Sequence, residues 1–75
     1  MNTGSIFIAA ALQSKRENLE AKMERYKGHV ERDKALISTT AHPEKYASRL
    51  RNHEAKLERM KASHAEILRT MEEND

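Results

Sequence analysis

Four histidines and 12 carboxylates are the residues that could do chemistry in this chain, and their spacing decides which chemistry is open to them. A single helix chelates a metal with ligands one turn apart, as in H-x-x-x-H. His53 and His64 stand about 16 Å apart on a helix rising about 1.5 Å per residue, too far to share an ion. His29 meets His53 only if the chain folds back on itself, and two imidazoles leave the remaining ligand positions empty. The Glu-x-x-His pattern of di-iron bundles is missing, since Ser63-His64 is followed by Ala65-Glu66. The sequence therefore carries no metal and no cofactor motif. His53 and His64 read instead as polar residues in an apolar seam that set its register, as a lone asparagine does in coiled coils. They are also the pH-sensitive positions, because protonating two seam histidines would weaken the packing.

Enzymatic readings find little support. Glu17, Glu20, Glu24, Glu31, Glu54, Glu58 and Glu66 fall mostly on outward positions, whereas a catalytic carboxylate wants a cleft that perturbs it. No spacing assembles a Ser, His and acid triad, and no glycine-rich phosphate loop is present. Two surface features remain. On the second half of the chain Lys45, Arg49, Asn52, Lys56 and Arg59 share one helical flank and could track a phosphate backbone. They could equally be a solvated flank whose stems cover the seam edge. Near the amino terminus, Ile6-Phe7-Ile8-Ala9-Ala10-Ala11-Leu12 is apolar nearly all round. An exposed apolar tip marks an interaction site, with Phe7 the natural anchor and Ile6, Ile8 and Leu12 beside it. The same tip could instead cap the end of its own dimer.

The elements that must position these residues are helices. Alanine, glutamate, lysine, arginine, leucine and methionine dominate, charged residues make up 35% of the chain, and two glycines and one proline are too few for a turn-rich β fold. Ser38-Thr39-Thr40-Ala41-His42-Pro43 is the one strong break. Proline suits the first position of a helix and pushes the residue before it out of helical geometry. His42 is thus the expected N-cap, with Glu44 well placed against the helix dipole. The reading is a helix over about 5–37, a loop over 38–42 and a second helix over about 43–73. Ser14-Lys15-Arg16-Glu17 is an alternative start, because it spells a capping box. Gly28 sits inside the first helix at a cost of about 1 kcal/mol relative to alanine.

Periodicity then supplies a seam. Tyr46, Leu50, His53, Leu57, Met60, His64, Ile67 and Met71 alternate in steps of four and three, and so do Leu12, Arg16, Leu19, Met23, Tyr26, Val30, Asp33 and Ile37. Folded at the loop, they pair in layers from Ile37 with Tyr46 to Leu12 with Met71. The expected fold class is all-α, an antiparallel two-helix hairpin. Leu36, Ala47, Ala65 and Leu68 lie on open flanks that a second hairpin would cover, giving a homodimeric four-helix bundle. A chain of 75 residues without cysteine buries little apolar surface and has no disulfides, which leaves oligomerisation as its support. No stretch reaches the roughly 20 apolar residues of a membrane span, and no basic region precedes the apolar segment as in a secretory signal. Beginning at Met1, the chain reads as a complete small cytoplasmic product. By analogy with phage and plasmid products of this kind, the expected function is a non-enzymatic protein-interaction module acting through the apolar tip. The alternative is an RNA- or DNA-binding hairpin dimer using Lys45, Arg49, Lys56 and Arg59.

Overall fold

The computed structural model describes residues 3–73, with side chains from residue 7 onward. Two helices, α1 over Thr3–Thr39 and α2 over Pro43–Glu73, pack against each other as an antiparallel hairpin. No strand occurs among the described residues. The rod measures 62 × 15 × 12 Å.

α1 runs two residues further at each end than its sequence pattern suggests. At its start, the Ala-rich stretch carries helix straight through Ser14, and the capping-box geometry goes unused: Glu17 accepts from Gln13 Nε2 at 2.9 Å instead. At its end, Ser38 and Thr39 do not compete with the helix. Their hydroxyls donate back to the carbonyls of Lys34 and Ala35, at 3.1 and 3.2 Å, and close the last turn. Thr40 N–H makes a final bond to Leu36 O at 2.9 Å. Its own hydroxyl accepts the His42 N–H at 3.1 Å, turning the chain into Pro43. The loop is thus only 40–42. Glu44 occupies the first turn of α2, where the helix dipole favours a negative charge. The opposite end of the hairpin lacks such help. α1 has no acidic residue in its first turn and α2 no basic residue in its last.

All sixteen seam positions, from Leu12 to Ile37 and from Tyr46 to Met71, are buried or half-buried. Among the described residues the buried apolar side chains are few: Val30 and Leu57. Burying one such side chain contributes about 1.5–3 kcal/mol, so the two supply a small part of what a domain needs. The surface tells the same story. The chain exposes 5674 Å², against about 4,700 Å² for a compact monomer of its mass. Its radius of gyration is 17.2 Å, against about 11 Å for a compact domain of this length. Among the described residues, no helix is long and apolar enough to cross a membrane.

Four ion pairs one turn apart, Lys27–Glu24, Lys34–Glu31, Lys61–Glu58 and Arg69–Glu66, brace the helix surfaces. Each is exposed and contributes at most a few tenths of a kcal/mol. Gly28 is exposed in the interior of α1, and a Cβ there would meet nothing within 4 Å. Its φ is negative, so alanine fits the backbone without strain. Gly28→Ala is therefore expected to stabilise the protein by about 1 kcal/mol. Urea denaturation at matched protein concentration measures it; an unchanged midpoint would refute it.

Candidate functional site

The most deeply buried side chain in the seam is a carboxylate. Asp33 has no exposed surface, and it is met from α2 by two groups. His53 Nδ1–H donates to Oδ2 at 2.5 Å. Arg49 Nε lies 3.4 Å from Oδ1, an ion pair whose geometry falls short of a hydrogen bond, so Oδ1 has no hydrogen-bond partner. Heptad spacing places Asp33 inward on α1, and the fold at 40–42 brings His53 to it across 20 residues of chain. Around this pair the rings gather. Tyr26, His29 and His53 have centroids 5.2–5.7 Å apart, with Tyr26 edge-on to both imidazoles. Lys56 Nζ stands 5.8 Å over Tyr26, and the Arg49 guanidinium 5.8 Å over Tyr46.

An Asp–His pair can orient an imidazole for proton transfer, but that needs a substrate cavity beside it. A shallow recess of about 340 Å³ is lined by Val30 and Leu57 with Lys and Glu side chains, and another of about 370 Å³ by Met23, Glu20 and His64. Neither includes Asp33 or His53. Among the described residues no group of three or more His, Asp or Glu side chains is placed to hold a metal ion. The cluster ties α1 to α2 through one hydrogen bond and one further ion pair. His64 is held in the same manner nearer the open end, with Nε2 3.1 Å from Glu20 Oε2. Both seam histidines thus face carboxylates rather than hydrocarbon.

The two flanks of the seam differ in charge. One carries the recess lined by Lys27, Glu31, Lys34, Glu54, Glu58 and Lys61, where each cation pairs with a glutamate on its own helix. The other is the flank of His29 and Lys56. Helical geometry puts Lys15, Lys22, Arg25 and Arg32 of α1 on it, all exposed. Beside them on α2 run Lys45, Arg49, Lys56 and Arg59, also exposed. Among the described residues, Arg49 is the one member of this set that pairs with a carboxylate. Glu66, at the far end, is engaged by Arg69.

The basic stripe of α2 is therefore half of a wider surface. The α1 half escaped the sequence reading, which followed α2 alone; carrying the seam register across to α1 would have found it. Arg49 is drawn inward to Asp33 and Tyr46, so it contributes less free charge than its neighbours. Of the expected tip residues, Phe7 is 74% and Ile8 50% exposed, whereas Leu12 is half-buried within the seam. The Ile6 side chain lies outside the described residues. Comparison of the chain with protein-family models, curated proteins and solved structures gave no match.

The Asp33–His53 pair makes a double-mutant test available. His53→Leu should cost about 3 kcal/mol, because it strips a buried carboxylate of its closest partner. Asp33→Leu with His53→Leu should recover most of that loss, since paired apolar residues relieve the burial of charge. Additive losses in urea denaturation would show that the two groups do not act as a unit.

Proposed function

We propose that this chain is a non-enzymatic interaction module that works as a pair of hairpins and engages a protein partner through its amino-terminal tip. The observation that carries the reading is the poverty of the interior. A rod whose buried apolar side chains, among the described residues, are Val30 and Leu57 gains much by burying more. A second copy laid against the mixed-charge flank would form a four-helix bundle. It would cover the half-buried Ala47 and the exposed Ala65 and Leu68, and would close the recess beside Val30 and Leu57. A two-fold axis through that flank suits its interspersed Lys and Glu, because each copy can offer cations where its twin offers acids. The tip then stands beyond the bundle. α1 has 37 residues and α2 has 31, so the start of α1 overhangs the end of α2 and leaves Phe7 and Ile8 uncovered. Exposed aromatic and branched side chains on a helix are the anchors that a partner groove accepts.

Sedimentation equilibrium at micromolar concentration is expected to give twice the chain mass, and Leu68→Glu is expected to shift the population toward the monomer. A folded monomer at that concentration would remove the pairing. Phe7→Asp is expected to leave the mass and helicity unchanged while abolishing retention of the host protein captured by the unaltered chain. Undiminished capture would remove the tip.

A further inference from the structure

The basic flank is absorbed neither by pairing through the opposite flank nor by the tip. Its cations form two rows, one on each helix. Within a row, heptad-related cations such as Lys15 and Lys22, or Arg25 and Arg32, recur about every 10 Å along the rod. The rows belong to helices whose axes pack about 8–10 Å apart, and their side chains splay outward from there. Asp33 is fully buried and held by His53 and Arg49, and Glu66, one heptad beyond Arg59, is engaged by Arg69. The chain's formal net charge is only +2, so the positive field comes from this sorting of charge rather than from an excess of it.

The chemistry of the face narrows its partner. Leu68 lies on the opposite flank, and Phe7 and Ile8 lie at the end of the rod beyond Lys15, so between Lys15 and Arg32 the face has no large exposed apolar side chain to sink into a lipid surface. Tyr26 and Tyr46 are half-buried and lie beneath Lys56 and Arg49, so they offer no free ring on which an unpaired base could stack. Between the cations stand Asn18, Asn52 and Ser63, all exposed and able to donate to phosphate oxygens. Two rows of cations on neighbouring helices suit the two phosphate walls of a B-form major groove, about 12 Å wide. The A-form major groove is too narrow to be straddled in this way.

We propose that this face binds the phosphate backbone of duplex DNA, along the rim of a groove and without reading bases. The site is independent of the pairing proposed above, because a second copy on the mixed-charge flank leaves it open. The α1 cations run from Lys15 to Arg32, about 26 Å at about 1.5 Å per residue, which spans about 8 base pairs at about 3.4 Å each.

The test is fluorescence anisotropy of a labelled 20-base-pair duplex of arbitrary sequence, titrated with the full chain from 20 to 200 mM salt. Binding is expected at low salt, with affinity falling linearly on a log–log plot. Arg25→Gln with Arg59→Gln, two exposed residues without an ion-pair partner, is expected to weaken binding at least tenfold and to lower the salt slope by about 2. Arg51→Gln removes one charge from outside the face and is expected to change affinity less than twofold, against a clear loss for Arg25→Gln alone. Circular dichroism and sedimentation on each variant separate loss of binding from loss of fold or of pairing. Equal loss in Arg51→Gln and Arg25→Gln would overturn the proposal, because it would mean attraction to net charge alone. Tighter binding to single strands or to duplex RNA, or no binding at 20 mM salt, would overturn it as well.

Discussion

A carboxylate with no exposed surface has to be answered from the facing helix, and the hairpin is arranged around that demand. Taking Asp33 out of water costs several kcal/mol, which is repaid only where His53 and Arg49 stand. The rest of the seam is permissive: methionine, leucine, isoleucine and valine pack against one another in many alignments. A slip of one heptad would put Tyr46 or Met60 where His53 stands and take away the imidazole that donates to Asp33. The apolar layers drive the helices together, and Asp33 selects one register among those they would accept.

That selection also sorts the surface. With the register fixed, Lys and Arg residues from both helices gather on the flank of His29. The opposite flank mixes glutamates with lysines that they neutralise one turn away. The rod therefore has two unlike long sides and an apolar end. One side suits a twin of interspersed charge, the other suits a polyanion, and the end suits a hydrophobic groove. These surfaces do not overlap, so the proposed contacts with a second copy, a duplex and a protein partner are mutually compatible.

Much of the fold was legible because two heptad patterns and a single proline leave few alternatives. Every position from Leu12 to Met71 that the period assigns inward is withdrawn from solvent. The helix ends were less legible. Thr39 and Thr40 read as breakers; the geometry shows the Thr39 hydroxyl bonding back into the helix, while the Thr40 hydroxyl accepts from His42 N–H in the loop. The polar cluster was half legible. Asp33 and His53 could be seen as interruptions of the seam, but pairing by layer set Asp33 against Leu50 and His53 against Val30. The observed partnership runs diagonally, because side chains on a helix lean toward its amino terminus. The basic flank of α1 was hidden for a different reason. Lys15, Lys22, Arg25 and Arg32 alternate in sequence with glutamates of the other flank, and the two sets separate only when the rotation of α1 about the seam is known.

The two ends of the rod are unlike in their electrostatics as well as their connectivity. At the loop end, Glu44 answers the dipole of α2; at the open end, the first turn of α1 has no acid and the last turn of α2 no base. Terminal turns left uncompensated in this way fray. Chain closure points the same way: Asp33 meets His53 across 20 residues, whereas Glu20 meets His64 across 44. Loop entropy makes the second closure dearer by about 0.7 kcal/mol when each is made alone. Closure is therefore cheaper near the loop than at the other end. Amide hydrogens should then exchange along a gradient, slowest around Val30 and Leu57 and fastest near Leu12 and Met71, so that the apolar tip rides on the most mobile turns of an otherwise locked rod.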